Sequence, residues 1–168
     1  MLRTVDNIVL GFSTPKFWNP VSWLVRLFTK SKASHTWVAY HDPTLGIDVV
    51  AEAHEFGFRI IRYDKFIKRN NIVAIFRLDH PPHAVMRKMA AWLGTMYDFA
   101  GLFGMTINLI GRYFGLKALK NPSHSVDAVF CSESVVRVLQ ELNPGKYKEL
   151  DPNNTTPQDL LDYMYKLS

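Results

Sequence analysis

Phe130-Cys131-Ser132-Glu133-Ser134 opens an apolar helical run, and the reading of that opening decides the fold. Val135, Val136, Leu139 and Leu142 recur at spacings that place them on one face of a helix, and Asn143-Pro144-Gly145 ends it. Cys131 therefore falls in the first turn or at the cap, where unpaired backbone N–H groups favour a thiolate over a thiol. It is the single cysteine of 168 residues, so it forms no internal disulfide, and a chemical role must be that of a thiol. A free cysteine taken alone is more often core than catalyst. The helix-start position raises Cys131 above that expectation.

A nucleophilic thiol needs an imidazole within hydrogen-bond reach, and that imidazole works better when a third polar group holds its other nitrogen. Upstream, Ile8 to Phe12 reads as a buried strand, Ser13-Thr14-Pro15 as a break, and Val21 to Thr29 as a helix. His35 to Tyr40 reads as a strand followed by a turn at His41-Asp42-Pro43. Ile47 to Ala53, Phe58 to Arg62 and Ile72 to Phe76 are further strands. Pro81 opens a helix carrying Val85, Met89, Trp92 and Met96. A last helix is capped by Thr156, with Pro157 at its first position and Asp159 complementing its dipole. Strands early and helices late make an α+β order.

Of six histidines, His80 and His83 flank prolines beside a helix start, His124 lies in a polar loop, and His41 begins a turn, all surface settings. His35 heads an apolar strand, where a polar side chain calls for a reason. Glu52 sits within Val49-Val50-Ala51-Glu52-Ala53, and an acid among small apolar residues is expensive to bury unless paired. A His35–Glu52 pair across neighbouring strands satisfies both. His54 shares Glu52's side of its strand and is the fallback orienting residue. The His80/His83 spacing occurs in some metal sites, but without neighbouring cysteine or clustered acids no metal is assigned.

These residues carry a resemblance. Leu93 to Gly101, with Tyr97 inside it, followed by Phe130-Cys131-Ser132-Glu133-Ser134-Val135, resembles the nucleophile region of the NlpC superfamily of papain-like cysteine hydrolases. In most members the histidine strand follows the cysteine helix. Here Ser34-His35 and Val50-Ala51-Glu52-Ala53 precede it, and Thr156-Pro157-Gln158-Asp159-Leu160 closes the chain, an order similar to the circularly permuted YiiX-like branch, which includes relatives of lecithin:retinol acyltransferase. The resemblance spans Asp6 to Leu160. It implies a single permuted papain-like domain over 1–168, an antiparallel sheet or small barrel packed against helices, with the nucleophile at a helix N-terminus. It also implies Cys131 as nucleophile, His35 as base and then acid, Glu52 as orienting residue, and Tyr97 as oxyanion or substrate-orienting residue. The reaction implied is amide hydrolysis through a thioester, as in a cysteine peptidase or amidase acting on cell-wall peptides, with no cofactor. A lipid-directed acyl hydrolase or acyltransferase and a catalytically silent binding module are the alternatives.

Two segments depart from the family pattern. Residues 99–119 are unusually apolar, with a charge-free run of 13 residues from Phe99 to Gly111, below the roughly 18 expected of a membrane-spanning helix, so the segment reads as a core helix, a flap over the site, or a surface for an acyl chain or peripheral lipid contact. Residues 16–30 interleave large aromatics with cations and read first as ordinary amphipathic packing, second as peripheral lipid contact. The net charge is +5, and the surplus lies in residues 1–120, with 16 Lys/Arg against 8 Asp/Glu. A basic part of this kind attracts anionic lipid or acidic wall polymer, and no nucleic-acid motif accompanies it. The first residues, Met1 to Asp6, lack the apolar stretch of a signal peptide, and a lone thiol fits a reducing compartment, so cytoplasmic synthesis is expected.

Overall fold

Five antiparallel strands form an open sheet in the order β4-β3-β2-β1-β5. The structure, a computed structural model, describes residues 8–17, 22–23, 26–27, 31–54, 56–97, 111, 128–129 and 131–168, with the backbone alone at 96–97 and 128–129. The strands are β1 (Ile8–Pro15), β2 (His35–Asp42), β3 (Ile47–His54), β4 (Gly57–Arg62) and β5 (Asn70–Leu78). The helices described over their length are α1 (Tyr63–Arg69), α2 (Pro82–Ala90), α3 (Cys131–Leu142), α4 (Pro144–Tyr147) and α5 (Pro157–Leu167). Two short parallel strands, β6 (Met96–Tyr97) and β7 (Ala128–Val129), form a second sheet. The fold is thus α+β with an open sheet, not a small barrel.

Alternation along the strands divides the sheet into two apolar faces. On one, Ile8, Leu10, Phe12, Val38, Ala51, Ala53 and Leu78 pack with Val85 and Met89 of α2, Val135, Val136 and Leu139 of α3, and Leu160, Leu161 and Met164 of α5. On the other, Val9, Trp37, Ala39 and Val50 are sealed by Phe66 of α1. Gly11 lies under the Trp37 indole: a Cβ there would sit 2.0 Å from Trp37 Cζ2. Only a glycine lets the ring lie flat against the strand.

Several elements differ from the sequence expectation for identifiable reasons. Ser13-Thr14-Pro15 continues β1, because Pro15 stands at the strand end, where its missing N–H is tolerated. His41 and Asp42 belong to β2, and the reversal comes after them, where Asp42 Oδ1 accepts from the N–H groups of Thr44 and Leu45. The helix opened by Pro81 stops at Ala90; a chain of tight turns ending in Gly94, at φ +85°, reverses the backbone, so Met96 enters a strand. Helix α1 has no counterpart in the expectation, since Phe66 is its one buried residue and no apolar period announces it. The final helix matches: Thr156 and Asp159 form a reciprocal capping box and Pro157 occupies the first position. Of the helix expected over Val21 to Thr29, residues 22–23 and 26–27 are described and helical. Met1 to Asp6, Asp98, His124 and, except for Gly111, residues 99–119 lie outside the described residues. Among the described residues no helix is long and apolar enough to cross a membrane.

Candidate active site

Cys131 is the first residue of α3. The stripe of Val135, Val136, Val138 and Leu139, each at most 2% exposed, presses that helix against the sheet. Its first turn is anchored by polar bonds as well. Ser132 Oγ donates to Thr155 O at 2.6 Å, and Arg137, paired with Glu133 one turn back, also donates from Nη2 to Asn153 Oδ1. These contacts fix the sulfur at the end of the sheet where β2 begins.

His35 is the first residue of β2, beside Ser34, whose hydroxyl pairs with Ser22 Oγ at 2.6 Å. Opposite pairing of Val38 with Ala51 puts His35 and Glu52 on one face of the sheet. There the expected pair forms: His35 Nε2 lies 2.7 Å from Glu52 Oε2. That bond leaves Nδ1 as the ring atom for Cys131, with which the imidazole shares a hydrogen bond. The Phe66 ring lies tilted against the imidazole, 6.3 Å away between centroids. Cys131, His35 and Glu52, distant in the chain, therefore converge as a relay.

The electrostatics of the relay follow from burial opposed by partners. Burial, the largest influence on Cys131, pushes its thiol up, but the His35 hydrogen bond and charge and the backbone N–H groups of Thr36 and Ser132 outweigh it, so the net direction is down. Burial likewise pulls His35 down, yet bonding to Cys131 and to Glu52 raises it to about 10. Glu52, 2% exposed, is pushed up by burial and brought down to about 2 by His35 and Arg59. The resting state these shifts favour is a thiolate beside an imidazolium, with an ionised carboxylate behind.

The remaining sequence candidates are placed as follows. His54, the fallback, accepts from Phe56 N–H at 3.5 Å through Nδ1, and its ring lies against Phe56; the His35 Nε2 partner is Glu52 instead. The backbone of Tyr97 is on β6, paired with Val129 two residues before Cys131, and its side chain lies outside the described residues. Among the described residues no three His, Cys, Asp or Glu side chains gather as a metal site.

Three contributors were missed by the sequence reading. Arg59 stands directly opposite Glu52 in the β3–β4 pairing and donates from Nε at 2.8 Å and from Nη2 at 2.6 Å to Glu52 Oε1. Counting outward from the Gly57 turn would have found it. The Thr36 and Ser132 N–H groups carry no side-chain signal in a sequence. No protein-family model matches the chain, and no curated protein matches it significantly.

Proposed function

We propose that the protein is a cysteine hydrolase of the permuted papain-like, NlpC type, cleaving an amide bond through a thioester. The observation that supports this reading is the hydrogen-bonded relay from Cys131 through His35 to buried Glu52, with the sulfur at a helix N-terminus. In the proposed reaction Cys131 Sγ attacks the amide carbonyl carbon and the C=O electron pair moves onto oxygen. The Cys131 N–H and the Tyr97 side chain are assigned to that oxyanion. His35 gives its proton to the leaving nitrogen, the C–N bond breaks, and a thioester remains with His35 neutral. Neutral His35 then takes a proton from water as the water oxygen attacks the thioester. Cleavage of C–S restores the thiolate and imidazolium. No cofactor takes part. The substrate class assigned is a cell-wall type peptide, acted on by an amidase or endopeptidase made in the cytoplasm, where the thiol stays reduced.

The test is iodoacetamide alkylation of folded protein across pH, beside turnover of wall peptides. Wild type is expected to alkylate with an apparent thiol pKa well below the ordinary value of about 8.5, and His35→Ala to return to it. Cys131→Ala is expected to abolish turnover. An ordinary thiol pKa, unmoved by loss of His35, sinks the reading in favour of a silent binding module.

One observation favours a lipid acyl substrate as the second reading. Phe17 is 74% exposed, Trp23 55% and Leu27 52%, alongside exposed Lys16, Arg26 and Lys32. Ser22, next to Trp23, bonds Ser34, so the Trp23 segment borders the His35 end of the sheet. Aromatics with cations suit the surface of an anionic bilayer. Co-sedimentation with phosphatidylglycerol vesicles but not phosphatidylcholine vesicles, lost in Trp23→Ser, supports that substrate class; no sedimentation with either removes it.

A further inference from the structure

We infer that Arg59 is a positioning residue of the active site, a permanent cation that holds Glu52 in place through the stage of turnover when His35 is neutral. The inference rests on the hydrolase reading above and adds a fourth member to its relay. Glu52 is 2% exposed on β3, between β2 and β4, and its two oxygens are divided: Oε2 faces His35 Nε2 at 2.7 Å, while Oε1 takes both Arg59 bonds, at 2.8 and 2.6 Å. A buried carboxylate needs a countercharge as well as hydrogen bonds.

His35 supplies that countercharge while it is protonated. Once it has protonated the leaving group it is neutral, and Glu52 would then be a buried anion facing a neutral ring. A carboxylate in that position gains a proton or rotates away, and either change releases the imidazole from its orientation just before it must activate water. A guanidinium, unlike an imidazole, does not give up its charge in a proton-transfer cycle. Nε and Nη2 of Arg59 both reach the same carboxylate oxygen, which leaves the other oxygen turned toward His35. Position favours this role too, because Arg59 lies directly opposite Glu52 on the neighbouring strand and a third of its side chain reaches solvent. The guanidinium is thus partly hydrated, while the carboxylate it holds is dry.

Other charged or titratable groups on this face of the sheet do not replace it. Asp48 and His54 share β3 with Glu52, His41 on β2 bonds Asp48 at 2.8 Å, and α1 presents Tyr63 beside Trp37. From α3 the group that reaches the relay is Cys131, through His35. Among the described residues, the groups bonded to the Glu52 carboxylate are His35 and Arg59.

The experiment compares wild type, Arg59→Met and Arg59→Lys by the pH dependence of Cys131 alkylation with iodoacetamide, on the full chain, with folding checked by circular dichroism. Removing the guanidinium leaves burial to raise the Glu52 pKa. As Glu52 protonates, His35 loses its anion and the thiolate is lost with it. The acid limb of alkylation is therefore expected to move up by about one pH unit or more in Arg59→Met, with rates converging toward wild type above neutrality. Arg59→Lys, which keeps the charge without the fork, is expected to restore most of the shift. A merely structural role predicts a lower melting temperature with the acid limb unmoved, and that result overturns the inference while leaving the hydrolase reading intact. A wild-type thiol that titrates at its ordinary pKa overturns both. If Arg59→Met does not fold, Arg59→Lys decides by itself: a limb shifted upward by a smaller step supports the role, and one identical to wild type with a lower melting temperature refutes it.

Discussion

At the scale of single residues the site depends on which buried charges are compensated. Glu52 is held far below an ordinary carboxylate, at about 2, because its bonds to His35 and Arg59 outweigh burial. The sign of its contribution follows: a folded-state pKa below the unfolded one adds stability that is full above the ordinary carboxylate range of about 4.5 and is lost as pH falls toward 2. Acid denaturation followed by circular dichroism is expected to show a loss on the order of a few kcal/mol in wild type across that window. Glu52→Gln should be less stable at neutral pH and should lack this part of the acid slope. An identical slope in the variant would mean that Glu52 does not carry it. His35 and Glu52 were legible in the sequence because a strand repeats its facing every two residues, and a buried acid demands a partner. Arg59 was missed because its place opposite Glu52 emerges only when register is counted outward from the turn at Gly57.

Among elements, β1 and β2 must lie close enough for Trp37 to cover Gly11, and this contact underlies the face on which His35 and Glu52 sit. A methyl at position 11 would overlap the indole, and the ring, enclosed by Phe66 and Tyr63 at 5.0 and 5.9 Å between centroids, has no open side toward which to move. Gly11→Ala is expected to lose about 3 kcal/mol, the upper part of the range for overpacking a filled core, measured by urea denaturation. A loss within about 0.5 kcal/mol, the usual range of a surface substitution, would show that the ring can move aside. The sequence announced β1 and β2 by their runs of apolar and β-branched residues. It did not announce helix α1, whose Tyr63-Asp64-Lys65-Phe66-Ile67-Lys68-Arg69 sequence has charges spread through it and buries Phe66 alone. Lys16 Nζ donates to Ile67 O and the Lys16 N–H to Arg69 O, so that helix is completed by a residue far away in sequence.

Across the whole molecule, the Cys131–His35 pair joins the sheet to the helix layer, so the packing of the two layers and the state of the thiol share a cause. Leu139 is 1% exposed and lies two turns beyond Cys131 on the stripe that seats α3. Leu139→Ala is expected to lose about 2–5 kcal/mol by denaturant unfolding. It should also raise the apparent thiol pKa, since a shifted helix moves the sulfur from His35. Loss of stability with unchanged alkylation would show that the helix start is held by its polar anchors alone. The α+β class and the helix start at Cys131 were legible because the apolar period of α3 is long and its end is marked by Asn143-Pro144-Gly145. The open sheet and its strand order were not, since β1 pairs with β5 across more than fifty intervening residues, and long-range pairing leaves no local signal.

With a single sulfhydryl in the chain, and that one altered by a ring contributed from the opposite layer, the molecule carries its own gauge of assembly. Any opening that separates helix from sheet returns Cys131 to the behaviour of free cysteine. One mass-shifting label, added at intervals during refolding, therefore timestamps the moment when the two layers dock.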